Sequence, residues 1–210
     1  MPIFNAADIN KMEQRYRVNF INSLSGFKSA NLIGTSSGKQ QSNLAIVSSV
    51  VHLGANPPLM AYINRPASVP RHTLDNILET KYYTINHVNQ GMIEAAHQTS
   101  ARYSADESEF KASGLNEYWS DSFAAPFVQE SKIKIGLNYV EHHTLLNDTV
   151  MVIGEVVYIE LEDGLLEGDG LINILTAESV SVSGLDTYNS AVKIKRMAYA
   201  KPDRPPSSIS

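Results

Sequence analysis

The stretch from Gly34 to Gln40, GTSSGKQ, has the composition of a loop that could hold a phosphate. A P-loop needs four residues between its glycines, so that backbone N–H groups can wrap the phosphates, and a hydroxyl after the lysine to hold magnesium. Here three residues separate Gly34 from Gly38, and Gln40 follows Lys39. No helix signal follows. Residues 42–53, SNLAIVSSVVHL, are rich in Val and Ile and read as a strand. The loop is therefore expected to be the solvated turn of a β-hairpin, Ser36 to Gln41, and P-loop nucleotide hydrolysis is disfavoured.

Other chemistries fare no better. His142 and His143 are adjacent on an expected strand, so they point to opposite faces and cannot share one ion. His52, His72, His87 and His97 lack metal-ligand spacing, and no metal site is expected. The G-x-S-x-G nucleophile turn is missing, as is the G-x-G-x-x-G dinucleotide fingerprint. Glu160, Glu162 and Asp163 read as a solvated strand end. The absence of cysteine excludes disulfides, thiolate metal sites and thiol nucleophiles, and fits a reducing cytoplasm. A net charge of −5 gives no electrostatic footprint for nucleic acid.

One cluster remains. Asn43, Ser48 and Ser49 are polar residues inside otherwise apolar strand sequence, and buried polar groups must find partners. Arg65, Arg71, His72 and Thr73 follow within one strand and one turn. Thr73 stands where a helix N-terminus would present unpaired N–H groups to an anion. Together these residues could hold a phosphate. The plainer alternative is that Arg71 is simply exposed and Ser48 bonds the backbone.

The elements that must position this cluster are mostly strands. Period-two and β-branched patterns predict strands at 28–35, 43–53, 58–64, 82–88, 132–139, 149–161 and 191–199. Asn5 can cap a helix carrying Ile9, Met12 and Tyr16. Thr73 can cap another carrying Leu74, Ile77 and Leu78, and a third fits 89–101. Ser104 to Glu107 forms a capping box for a short helix that Gly114 ends. Many strands with a few inserted short helices predict a mainly β protein, a β-barrel rather than a parallel sheet. The 210 residues show no linker, so one domain is expected over 1–200, with a flexible tail at 201–210. No apolar run reaches the length of a membrane span and no secretion signal is visible, so a cytoplasmic protein is expected.

The order of these segments resembles the flavin reductase-like family, whose members are FMN-binding split β-barrels. The matching pieces are Asn43-Leu44-Ala45, Ser48-Ser49, Pro57-Pro58-Leu59, Arg65-Pro66, Arg71-His72-Thr73-Leu74-Asp75-Asn76-Ile77 and Tyr83-Thr84-Ile85-Asn86. Residues 108–115, 125–131 and 153–157 extend the likeness to roughly residues 15 to 200. The resemblance implies FMN bound at the interface of a homodimer. Asn43, Leu44 and Ala45 would run along the isoalloxazine edge, their backbone N–H groups bonding N5 and O4. Ser48, Arg71, His72 and Thr73 would hold the phosphate, and Asn31 and Thr35 could touch the ring. It further implies a hydride from NADH or NADPH, passed through FMN to free flavin, a partner protein or a small acceptor. The alternative is a flavoredoxin-like electron carrier with no nicotinamide turnover of its own. Because flavin itself accepts the hydride, no protein acid or base is obligatory. His97 is the one candidate near the nicotinamide or acceptor, against the plainer reading of a packed helix histidine.

Overall fold

A computed structural model of the chain describes residues 1–66, 72–104 and 106–209. Two helices, α1 (Ala6–Lys11) and α2 (Gln14–Ser23), open it. Asn5 caps α1 as expected: its side chain accepts the amides of Ala7 and Asp8, and Asp8 reaches back to the Asn5 N–H. Met12 is extended and divides the single expected helix into two.

Strands then follow: β1 (Lys28–Ser29), β2 (Asn31–Ser36), β3 (Ser42–Val47), β4 (Val51–Ala55) and β5 (Pro58–Asn64). Helix α3 (His72–Thr80) leads to β6 (Tyr82–His87), and a 3-10 turn at Gln90–Met92 opens α4 (Ile93–Gln98). Helix α5 (Glu109–Ser113) begins at Ser108, later than the expected capping box, and ends at left-handed Gly114. Short strands β7 (Glu117–Tyr118) and β8 (Phe127–Val128) precede the long hairpin of β9 (Ile133–Thr144) and β10 (Val150–Leu161). The chain closes with β11 (Ser181–Ser183), β12 (Thr187–Asn189), β13 (Arg196–Met197) and β14 (Ser208–Ile209).

Seven strands form one antiparallel sheet in the order β3-β2-β6-β9-β10-β5-β4. Its two edges, β3 and β4, are separated in the chain by only Ser48, Ser49 and Val50. Three residues cannot span an open seven-stranded sheet, so the sheet curls until its edges meet at that corner. The result is the barrel expected from the strand pattern. The single strand expected at 43–53 is two, because Ser48 bends the chain there.

Core packing follows the alternation of β2. Ile33 points into the barrel with Tyr62, Tyr83, Ile85, Leu137 and Val152, and α3 adds Leu74 and Ile77 to the same core. Leu32 points the other way, into a second core with Leu44, Ala96, Phe110 and Val182. All six residues of β2 are buried because both of its faces are covered. Gly34 has no space for a side chain: a Cβ there would stand 2.2 Å from the Pro126 carbonyl oxygen. Likewise Gly154 leaves room for the phenol of Tyr83, which a Cβ would meet at 2.3 Å.

The C-terminal segment departs from expectation. Of 191–199 only Arg196 and Met197 form strand, and they pair with residues 208–209. Among the described residues no helix is long and apolar enough to cross a membrane.

His87, at the end of β6, supplies a pH test. Burial holds its imidazole down to about 4, against an ordinary 6.5, with Nδ1 3.2 Å from Ser179 Oγ. The fold therefore carries it neutral, whereas the unfolded chain takes up a proton below the ordinary value. Its contribution is present above about pH 6.5 and is lost as pH falls toward 4. Denaturant titrations should show about 2–3 kcal/mol of stability lost across that window, and His87→Gln should flatten the slope.

Candidate functional site

The expected ligand-holding residues sit along β3 and around the corner that follows it. Helix α3 is fastened to this strand by side-chain bonds. Asn43 Nδ2 donates to Thr73 Oγ1 at 3.0 Å, and Asn76 Nδ2 donates to Thr35 Oγ1 at 3.1 Å. All four residues are buried. Thr73 thus lies in the first turn of α3, not at its cap, and its hydroxyl is spent on Asn43. Thr35 is fully buried and holds α3; it presents nothing to open space. Arg71 lies outside the described residues.

The outer edge of β3 is largely sealed by the chain itself. Leu44 N–H donates to Glu109 Oε2 at 3.0 Å, and Ile46 N–H donates to Thr99 Oγ1 at 3.0 Å. Amides alternate in direction along a strand, so those of Asn43 and Ala45 turn inward to β2. The donors expected to run free along Asn43–Ala45 are therefore engaged within the chain. Ser48 follows at the bend just beyond β3. Among the described residues neither its amide nor its hydroxyl has a hydrogen-bond partner, and it is half-buried.

Ser49 differs from its neighbour. Its hydroxyl donates to Ile63 O at 3.1 Å and accepts Ile63 N–H at 3.2 Å, bracing the corner against β5. Arg65 is exposed just beyond the end of β5. Ser48 lies past Val47, which is itself four residues and about 13 Å further along β3 than Asn43. The structure thus groups Ser48, Ser49 and Arg65 at one end of β3, and His72 and Thr73 at the other. One phosphate cannot be held by both ends. An elongated ligand with an anionic end and a ring end could lie between them.

Asn31 faces the barrel side of β2, opposite Val47. Its Nδ2 donates to Ser29 Oγ at 2.9 Å, while among the described residues its buried Oδ1 has no partner. A buried acceptor in that state suits a donor supplied by a ligand. His97, on α4, has Nδ1 2.9 Å from the Tyr188 hydroxyl and packs edge-on to that ring. Burial and nearby Asp186 push the Tyr188 phenol up. His97 is thus tethered two residues from Thr99, on the helix that seals β3.

Several contributors were not read from the sequence. Glu109, with Thr99, determines which β3 amides remain available. Ser42 Oγ bonds Glu117 and stands 2.8 Å from Ser108 Oγ, and Glu117 accepts the Trp119 indole N–H at 3.0 Å. The signal that could have pointed to Glu109 is its place directly after the N-cap Ser108, in the first turn of a helix. Two surface hollows of about 360 and 430 Å³ lie elsewhere, on the N-terminal helices around Arg15 and Tyr16.

Burial raises the Glu109 carboxyl above its ordinary range, against the Leu44 amide and the charge of His72. The fold therefore favours its protonated form, so its contribution to stability falls as pH rises through and above the ordinary carboxylate range. Glu109→Gln should remove that slope and keep an acceptor for Leu44. Glu109→Ala strands the Leu44 amide and should cost roughly 1–3 kcal/mol in urea unfolding at neutral pH.

Comparison with known proteins agrees with this architecture. The flavin reductase like domain profile matches residues 24–178. A structure from Shewanella frigidimarina, described as a flavin reductase with a split barrel domain, is 53% identical, covers 95% of this chain and 100% of its own, and superposes with a TM-score of 0.92. The flavoredoxin of Desulfovibrio vulgaris shares the fold at 21% identity, with 84% of this chain and 91% of its own covered and a TM-score of 0.70. An uncharacterised protein of Aquifex aeolicus is 26% identical over 118 residues, 56% of this chain and 60% of its own length. With the profile spanning most of its barrel and both cores, the chain belongs to the flavin reductase-like family, in the split-barrel fold.

Proposed function

We propose that this chain binds FMN between the corner at Ser48 and the N-terminus of α3, and works as an NAD(P)H-dependent flavin oxidoreductase. The observation that carries the reading is Ser48. Just past β3, whose outward Leu44 and Ile46 amides are engaged by Glu109 and Thr99, the Ser48 N–H lacks an acceptor among the described residues and its hydroxyl is unengaged too. A polar ring edge is the complement of that pair. The orphaned Asn31 Oδ1 is an acceptor on the neighbouring strand. At the far end, the first turn of α3 with His72 suits an anion. Arg71 precedes it in sequence, so the phosphate belongs at that end.

Bound FMN would supply the hydride acceptor at N5. The chain's own residues then have only to orient the ring, neutralise the phosphate and limit water. A homodimer supports the last task. Val51 and Leu53 on β4, and Val157 and Ile159 on β10, leave apolar surface exposed, and α1 and α2 bury no residue. A second copy covering this surface would wall a site that one chain leaves open. The cysteine-free sequence suits a cytoplasmic setting.

One observation favours a second reading. Helices α4 and α5 seal the outer edge of β3 through Thr99 and Glu109, which restricts the approach of a nicotinamide. A flavoredoxin-like carrier, reduced by a partner protein, needs no such approach.

Visible absorption of the purified protein decides between them. A flavin spectrum bleached anaerobically by NADH or NADPH supports the reductase and identifies the donor. A yellow protein that neither nucleotide bleaches supports the carrier, and a protein that stays colourless after addition of FMN overturns both. Arg71→Ala should weaken FMN binding about 10- to 100-fold, by titration calorimetry or fluorescence, through loss of a charge-assisted phosphate bond. Unchanged affinity would move the phosphate elsewhere.

A further inference from the structure

Residues 191–195, AVKIK, carry the pattern of a half-buried strand: Val192 and Ile194 alternate with Lys193 and Lys195. Among the described residues this segment joins no sheet. Its backbone makes no hydrogen bond among the described residues, and Val192 and Ile194 are 81% and 93% exposed. The segment is nevertheless fixed at both ends. Before it, β12 pairs with β11. After it, Arg196 bonds Asp169 and lies 3.5 Å from Glu167, and β13 pairs with β14.

The barrel presents the converse. Of the two edges of the main sheet, β3 is sealed by Glu109 and Thr99. The outer edge of β4 has no partner among the described residues, and its Val51 and Leu53 are 48% and 44% exposed. An exposed apolar edge with unpaired amides is a template for another strand. The chain does not bring its own arm to that edge, so a second copy is the occupant. Charge agrees. Residues 191–204 hold five basic side chains against one acidic, which leaves 12 basic against 21 acidic in the rest of the chain. A cationic arm on an anionic body is attracted to another copy's body.

We infer that residues 191–195 of each chain add as a strand to β4 of a second copy, with the exchange made twice around a two-fold axis. This arm exchange rests on the homodimer proposed above and specifies what holds it together. Val192 and Ile194 become half-buried, and the unpaired edge beside the Ser48 corner is closed by the partner.

The test is sedimentation velocity on the full chain and on its Val192→Asp/Ile194→Asp variant. Both side chains are solvent-exposed in the single chain, so far-ultraviolet circular dichroism should be unchanged. The dimer dissociation constant should rise at least tenfold. The cysteine-free sequence allows a second readout: Leu53→Cys combined with Val192→Cys or Ile194→Cys should give a disulfide-linked dimer on mild oxidation, absent from each single variant. A wild-type dimer that the aspartates do not weaken, with no cross-link in either pair, overturns the arm exchange and leaves the homodimer standing. A wild-type chain that sediments as a monomer overturns both.

Discussion

The hydroxyl of Ser49, held between the amide and the carbonyl of Ile63, braces the corner on which the rest of the molecule depends. Seven antiparallel strands would otherwise present two distant edges. Joining β3 to β4 through three residues forces those edges together and makes a barrel of a sheet. The same bend leaves Ser48 beside Ser49 but without its neighbour's partners. A residue that braces the fold thus stands beside one whose hydroxyl has no partner among the described residues.

Two covers follow from that closure. Helix α3 stops one end of the barrel with Leu74 and Ile77, and its first turn is fastened to β2 and β3 by Asn43, Thr73, Asn76 and Thr35. Buried amide and hydroxyl groups satisfy one another there, so the helix N-terminus is held at a set distance from the Ser48 corner. On the outside, α4 and α5 lay a second apolar core against Leu32 and Leu44 and spend Thr99 and Glu109 on the edge of β3. The middle of β3 therefore offers no free outward amide at Leu44 or Ile46. Within the barrel the phenols of Tyr62 and Tyr83 have no partner among the described residues, and burial pushes both well above their ordinary range. They are held neutral and contribute packing rather than acid–base chemistry.

Much of this was legible in the sequence. Strict alternation at Ile133, Ile135, Leu137 and Tyr139 gave the start of β9, and the polar turn before Ser42 gave the β2–β3 hairpin, because strand period and turn chemistry are local properties. Asn5 could be read as a cap for the same reason. Polar residues inside apolar strand sequence marked the cluster, and the family likeness added an expected ligand. The division at Ser48 was not legible, since Val and Ile on both sides favour strand equally. The strand expected at 191–199 forms only at Arg196 and Met197, and among the described residues no sheet receives the rest.

The sequence by itself determined the mainly β character, the β2–β3 hairpin, the Asn5 cap and the lack of any thiol, because each is written in neighbouring residues. Only the tertiary structure decided which polar groups remain available. Leu44 and Ile46 lose their outward amides to Glu109 and Thr99, 65 and 53 residues away, while the Ser48 amide has no acceptor among the described residues. Hydrogen-bond partners at such separations are set by how layers pack, and packing has no local signature.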